Sequence, residues 1–226
     1  MVDGGLSRAA AERLVAAGAA GVVVRQDGRT CGHVGAATIE LEPRLAGAAD
    51  AFAQASRDGN RALVAEVVAA VAPAPGLRVL ELFAGGGNFT RHLTAAGATV
   101  VANDVVAPAV TLPGARFEVG PAAETVARLA ATGARFDVVL LDPPRTGARE
   151  VVAALAALGA PRIVYVSCDA ATLGRDLELL AAAGWAPRRA AVLDVMPQTP
   201  HLEIVAVAER GGAAAPATPP APAARS

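Results

Sequence analysis

The chain contains no lysine, few aromatic residues and only two cysteines. Its 226 residues include 20 basic side chains, all of them arginine, and 21 acidic ones, and the formal net charge is −1. This balance excludes a protein that coats nucleic acid through overall positive charge, although it permits a local groove lined by arginine. Cys31 and Cys168 are too few for a disulfide framework, or for a metal or iron–sulfur site held by cysteine alone.

Long apolar runs are also absent. No uninterrupted stretch reaches the roughly 20 apolar residues that a membrane-spanning helix needs. The first residues lack the charged region and the following apolar region of a signal peptide. Free thiols suit a reducing compartment, so we expect a cytoplasmic protein. The length predicts one domain or slightly more.

Composition divides the chain into three segments. Residues 1–50 form a short N-terminal segment, for which the pattern predicts one small helix and three short strands, with Asp27-Gly28 as a hairpin turn. Residues 51–210 form the main domain. Residues 211–226 are rich in alanine, proline and glycine, and they cannot bury enough apolar surface to offset the entropy of ordering. We therefore predict a disordered tail there.

In the main domain, buried strands alternate with helices. A first helix is predicted over 51–72, and proline ends it. The later helices are predicted over 88–96, 122–131, 148–158 and 171–183. The strands are predicted over 78–83, 99–104, 115–119, 136–142 and 162–167, and near 188–193 and 202–208. This alternation is typical of an α/β fold with a mostly parallel, seven-stranded sheet and helices on both faces.

A glycine-rich loop follows the first of these strands, in the segment ELFAGGGNFT (81–90). Gly85 and Gly87 allow a tight turn and a close approach of the backbone to a ligand. Asp104 ends the next strand, where an acidic residue can accept hydrogen bonds from the ribose hydroxyls of an adenosine. The sixth-position glycine of a dinucleotide site and the lysine of a phosphate loop are both missing. The pattern E-x-F-x-G-x-G instead resembles the first motif of class I methyltransferases, which implies S-adenosylmethionine as cofactor and a Rossmann-like fold.

Three later segments narrow this resemblance. They read LLDPPRTG (140–147), VYVSCDAATLGRDL (164–177) and MPQTPHLEIV (196–205). In this order they resemble the motifs of the RNA uracil-5-methyltransferases, which make 5-methyluridine in tRNA and rRNA. The resemblance covers roughly residues 50–209, and it implies a tRNA or rRNA substrate.

The resemblance assigns roles residue by residue. Cys168 occupies the position of the family's nucleophile, and Glu203 that of its general base. Gln54 matches a glutamine near the cofactor and the base. The implied cofactor-binding residues are Gln54, Phe83, Gly85, Gly87, Asn88, Asp104 and Asp142. Guanidinium groups pair well with phosphate, so five arginines are candidates for an RNA groove, although Arg175 can instead pair locally with Asp176. These candidates are Arg145, Arg149, Arg175, Arg188 and Arg189.

Some positions depart from the family pattern. Asp169 and Ala170 stand where the family has asparagine and proline, Ser56 replaces an asparagine, and Met196 replaces a phenylalanine. A carboxylate at Asp169 is expected to disfavour the neighbouring thiolate. Residues 1–50 resemble only the end of the family's central segment.

Two other functions therefore stay open. One is a small-molecule methyltransferase on the same fold. The other is a degenerate, cofactor-binding partner of RNA or protein that has no activity.

Overall fold

The protein is described here from a computed structural model. The described residues are 2–3, 8–17, 21–26, 29–36, 38–42, 45–48, 57–108, 111, 113–195 and 202–211. Gln54, Ser56, Met196, His201 and residues 212–226 of the predicted tail lie outside them.

In the described residues of the N-terminal segment, the chain forms one helix and two small sheets. Its elements are β1 (Val2–Asp3), α1 (Arg8–Ala16), β2 (Gly21–Gln26), β3 (Arg29–Gly35), β4 (Thr38–Glu42) and β5 (Leu45–Ala48). Strand β2 pairs with β1 in parallel and with β3 in antiparallel orientation, and β4 pairs with β5 in antiparallel orientation. The predicted helix and three strands are confirmed. The sequence does not predict β5, because its residues LAGA lack an alternation of apolar and polar side chains.

Five α-helices and seven strands follow in the described part of residues 57–211. They are α2 (Arg57–Val71), β6 (Arg78–Leu82), α3 (Thr90–Ala95), β7 (Thr99–Asp104), β8 (Ala115–Val119), α4 (Ala122–Ala131), β9 (Val138–Leu141), α5 (Arg149–Leu155), β10 (Arg162–Ser167), α6 (Ala170–Ala182), β11 (Trp185–Leu193) and β12 (Glu203–Arg210). The predicted alternation is confirmed. Helix α3 begins at Thr90 rather than Asn88, because the glycine-rich loop continues through Asn88-Phe89.

The seven strands form one sheet in the order β11-β12-β10-β9-β6-β7-β8. All neighbours are parallel except the two pairs made by β12, which runs antiparallel to β10 and β11. The prediction of a mostly parallel seven-stranded sheet is confirmed. The chain enters at β6, fills one side with β7 and β8, and then crosses to β9 on the other side. Open α/β sheets bind ligands at such a switch point, beyond the carboxyl ends of the strands.

Two apolar layers cover the sheet. On one face, α2 and α3 bury Leu63, Val67, Val71 and Leu93 against alternate strand residues; we call this the α2/α3 face. The buried residues of α2 recur at the spacing of one helical stripe. On the other face, α4, α5 and α6 cover the sheet. In the described part of the chain, none of the helices combines the length and the apolar composition needed to cross a membrane.

Candidate active site

One edge of the sheet collects the predicted site residues. Phe83 follows β6, Asp104 ends β7, Asp142 follows β9, and Cys168 follows β10. Glu203 begins β12, and because β12 is antiparallel, its first residue lies where its neighbours end. We call this the site edge. Cys168 and Glu203, which are 35 positions apart in sequence, thus lie on neighbouring strands, whose backbones are about 4.8 Å apart.

The strand alternation also assigns some of these residues to one face of the sheet. Leu140, Val166 and Val205 all belong to the core under α2 and α3. Side chains two residues apart in a strand share a face, which places Glu203 on the α2/α3 face, while Asp142 and Cys168 come directly after the ends of β9 and β10. Val79 and Ala102 place Glu81 and Asp104 there in the same way. A row of reactive and acidic groups therefore runs across five neighbouring strands. The row is Asp104, Glu81, Asp142, Cys168 and Glu203.

Backbone geometry shapes the glycine-rich loop. Phe83, Gly85 and Gly87 have positive φ values of 64°, 54° and 84°. The amide of Gly87 donates to the carbonyl of Ala84 at 2.9 Å, which closes a tight turn. A Cβ built on Gly85 or on Gly86 would meet nothing within 4 Å, so the space over this turn is open. The loop has room for a ligand against its backbone, as its glycines predict.

Asp104 makes contacts that the sequence does not predict. Its Oδ2 accepts a hydrogen bond from the amide of Gly85 at 2.8 Å, and its Oδ1 accepts one from the amide of Val106 at 3.1 Å. The carboxylate thus ties the end of β7 to the glycine-rich loop. Each carboxylate oxygen has a second lone pair, so it can still accept from a ligand hydroxyl.

Asn88 is paired with a residue that the motifs leave out. The side-chain amides of Asn88 and Asn60 donate to each other's oxygens, at 2.8 and 3.1 Å. Asn60 is only 7% exposed and lies in the first turn of α2, which the pair joins to the glycine-rich loop. In the sequence, Asn60 could be recognised because it is a polar amide at one of the otherwise apolar, buried positions of helix α2. Gln54, three residues before the described start of α2, lies outside the described residues.

Three carboxyl groups in the row have raised pKa values. Burial raises the pKa of Glu81 to about 8, although Thr90 Oγ1 donates a 2.6 Å hydrogen bond to its Oε2, which lowers the pKa. Burial and the nearby charge of Glu203 raise the pKa of Asp142 to about 7. Burial also raises the pKa of Glu203, and the positive charge of Arg145 opposes that shift. The site can therefore hold and accept protons near neutral pH.

Cys168 is a partly buried free thiol at the start of α6. The next residue, Asp169, is the N-cap of that helix: its Oδ1 accepts from the amide of Thr172 at 2.8 Å. This bond lowers the pKa of Asp169, and the charge of Arg145 lowers it further. Asp169 is therefore an ionised N-cap residue beside the thiol. The positive charge of Arg145 lowers the pKa of Asp169 and opposes the rise in the pKa of Glu203.

Three of the five candidate groove arginines are engaged inside the domain. Arg175 pairs with Asp176 at 2.7 Å, as the local alternative predicted, and Arg189 pairs with Glu66. Arg188 lies 4.0 Å from Glu209. Of this set, Arg145 is the arginine that acts on the site edge.

Comparison with known proteins gives a consistent set of relatives. Residues 127–210 match the family described as tRNA (Uracil-5-)-methyltransferase. The chain is 45% identical over 172 residues to a 23S rRNA (uracil(1939)-C(5))-methyltransferase of Thiobacillus denitrificans, covering 70% of this chain and 40% of the relative. It is 39% identical over 170 residues to the enzyme of the same name from Pseudomonas entomophila, covering 71% and 38%. The chain thus spans about two fifths of the length of these curated relatives.

Solved structures agree with the fold. A Pyrococcus abyssi tRNA (uracil-54, C5)-methyltransferase in complex with S-adenosyl-L-homocysteine matches with a TM-score of 0.65 and 25% identity, over 84% of this chain and 50% of that one. A Synechocystis magnesium protoporphyrin IX methyltransferase matches with a TM-score of 0.54 and 18% identity, over 69% and 85%. The sheet is that of class I methyltransferases.

Proposed function

We propose that this chain, which matches the tRNA (Uracil-5-)-methyltransferase family over residues 127–210, is an RNA uracil-5-methyltransferase that transfers a methyl group from S-adenosylmethionine to C5 of a uridine in tRNA or rRNA. The observation that supports this proposal is that Cys168, Asp142 and Glu203 stand at the ends of neighbouring strands along the site edge, next to an open glycine-rich loop. A thiol and a carboxyl group on neighbouring strands suit a reaction that begins with addition of sulfur and ends with removal of a proton.

The glycine-rich loop and the residues around it fit S-adenosylmethionine. Open space over Gly85 and Gly86 leaves room for the ligand against the backbone. Asp104 retains acceptor capacity for the ribose hydroxyls, and Phe83, Asn88 and Asp142 border the same edge. When bound there, S-adenosylmethionine supplies an electrophilic methyl group to C5 of the uracil.

Cys168 has the first chemical role. Its thiolate forms a bond to C6 of the uracil, and the electrons of the C5–C6 double bond move toward the C4 carbonyl oxygen to give an enolate. Uracil C5 is a weak nucleophile, and the enolate makes it a strong one. A base inside a helix must leave its stack to reach the thiol.

Glu203 completes the reaction. After C5 has gained its methyl group, the ionised carboxylate removes the remaining proton from C5. The freed electron pair restores the C5–C6 double bond, and the bond from C6 to sulfur breaks, which returns the Cys168 thiolate. Arg145 keeps Glu203 available as a base, because its positive charge opposes the rise in the pKa of Glu203 that burial causes.

The test is a covalent trap. RNA that contains 5-fluorouridine should form a stable adduct with the protein in the presence of S-adenosylmethionine, because fluorine on C5 cannot be removed as a proton. Cys168→Ser should form no adduct, whereas Cys31→Ser, the matched change at the chain's other cysteine, should form it normally. Both tRNA and 23S rRNA fragments without 5-methyluridine should be used. No adduct with either RNA, from protein that binds the cofactor, would refute the proposed mechanism.

A further inference from the structure

A buried carboxylate lies under the segment that joins β9 to α5. Asp176 of α6 is 0% exposed. Its Oδ2 accepts from the hydroxyl of Tyr165 and from the amide of Ala148, both at 2.6 Å. Its Oδ1 accepts from Nε and Nη2 of Arg175, at 2.9 and 2.7 Å. Each carboxylate oxygen therefore receives two hydrogen bonds.

The same group of side chains holds the segment at one further point. Nη2 of Arg175 also donates to the carbonyl of Thr146 at 2.9 Å. Between these anchors, Gly147 has a φ of 77°. A Cβ on Gly147 would lie 2.5 Å from Oδ2 of Asp176 and even closer to Nη2 of Arg175. Residues 146–148 are thus pressed against the carboxylate so closely that only glycine fits at the centre.

This segment carries groups of the site edge. It begins directly after Asp142, and Arg145 stands one residue before the anchored stretch. We propose that Asp176 is a positioning residue, held by Tyr165 and Arg175, that fixes residues 143–148 and thereby sets Asp142 and Arg145 relative to Cys168 and Glu203. The effect of this positioning on catalysis rests on the proposed function, whereas the positioning of residues 143–148 by Asp176 does not.

The charges in the group suit that role. Arg175 neutralises Asp176, and burial together with the bond to Asp176 raises the pKa of Tyr165 above its usual range, so the phenol stays a donor. The charges of Asp176 and Arg175 therefore cancel, and the two residues together with Tyr165 add little electrostatic field to the site. The charged groups that influence the pKa of Glu203 are therefore Arg145 and Asp142. Cys168 lies at the end of the adjacent strand. A packing contact alone would not require a buried carboxylate paired with a partly exposed arginine, since apolar residues of similar volume often stabilise as well.

Asp176→Asn tests the inference. The substitution preserves shape, but it turns one oxygen into a donor that faces either Tyr165 and Ala148 or the guanidinium of Arg175. The segment should shift, and a displacement near 1 Å can slow an enzyme by about 100-fold. As Arg145 moves away, the pKa of Glu203 should rise, so the midpoint of the rate against pH should move to higher pH. Tyr165→Phe removes a single bond and should give a smaller loss, on the order of tenfold.

Glu178→Gln, an exposed change on the same helix, is the matched control. All variants should be assayed below their melting temperatures, with kcat, the KM for RNA and the pH profile measured. The pKa of Glu203 should also be followed by carbon-13 NMR of glutamate carboxyls, with Glu203→Gln identifying its signal. A lower melting temperature with unchanged kcat, pH midpoint and Glu203 pKa would overturn the inference, and it would leave Asp176 as a structural residue.

The NMR titration separates this inference from the proposed function. If the wild-type protein methylates no RNA, the proposed function fails, yet a raised Glu203 pKa in Asp176→Asn would still support the positioning role. If Asp176→Asn does not fold, Tyr165→Phe carries the same test. An unchanged titration in Tyr165→Phe, despite loss of its hydrogen bond, would then overturn it.

Discussion

The two halves of the site edge hold their residues by different means. On β6 and β7, backbone geometry dominates: positive φ values shape the loop, and Asp104 bonds to backbone amides. On β9, β10 and β12, charged side chains dominate, and Arg145 acts on Asp169 and Glu203. The first half, on β6 and β7, is suited to binding the cofactor. The second half, on β9, β10 and β12, is suited to forming a covalent bond and transferring a proton. Changes in the first should alter affinity, whereas changes in the second should alter turnover.

The largest expected effect lies in the reacting half. Glu203→Gln should lower turnover by about 10²–10⁴-fold, the usual contribution of a positioned acid or base. Addition and methylation should still occur, so a covalent complex with ordinary RNA should accumulate on a denaturing gel. Glu209→Gln, near the other end of the same strand, is the control. Near-normal turnover in Glu203→Gln, with no covalent protein–RNA complex on the gel, would contradict the assignment of Glu203 as the general base and the contrast between the two halves.

Glu81 sharpens the comparison, because it is a buried acid within the binding half. Burial raises its pKa from 4.5 to about 8, so the folded protein retains a proton that the unfolded chain releases. The free energy of unfolding should therefore fall as pH rises from about 4.5 to about 8. Glu81→Gln should match the wild type at pH 4 and exceed it at pH 9, by up to about 5 kcal/mol.

Urea unfolding at several pH values measures this difference. The exposed change Glu178→Gln should follow the wild-type curve. If Glu81→Gln and the wild type lose stability in parallel, Glu81 is not a proton-retaining group.

A smaller effect is expected at Asp104. Asp104→Ala removes the acceptor for Gly85 and for a ribose, so the affinity for S-adenosylmethionine should drop by about 1–3 kcal/mol. Turnover at saturating cofactor should change little. Asp137→Ala is a matched control, because Asp137 accepts a 2.8 Å bond from the amide of Arg78 at the opposite edge of the sheet. Calorimetry that shows equal affinity in folded Asp104→Ala and wild type would contradict the assignment.

The smallest expected effect concerns Asp169. Asparagine caps helices as well as aspartate does, so Asp169→Asn should keep the bond from Thr172 and remove only the charge. Adduct formation with 5-fluorouridine RNA should become about two- to fivefold faster, because the substitution removes the negative charge next to the attacking sulfur. Asp169→Ala separates the two roles, since it loses the cap as well. An unchanged rate in Asp169→Asn would show that this departure from the family pattern is neutral.

Much of the fold can be predicted from local patterns. The strands and helices of the main domain follow from alternating buried runs and helical stripes, and the row from Asp104 to Glu203 follows from strand ends that share one edge. The contacts of that row cannot be predicted in this way. Asn60 meets Asn88 across 28 positions, and Asp176 meets Ala148 across another 28. Such pairs depend on how helices lie over the sheet, which periodicity does not specify.

The sequence by itself determined the order of elements, the family resemblance and the identity of the thiol and carboxyl groups, because motif spacing and apolar periodicity are local properties. Only the tertiary structure decided the state of those groups. Burial raises the pKa values of Glu81 and Asp142 to about 8 and about 7, and the positive charge of Arg145 opposes part of the rise that burial causes in Glu203. A charge responds to its solvent exposure and to its neighbours in space, and both are set when α2, α6 and the sheet pack together.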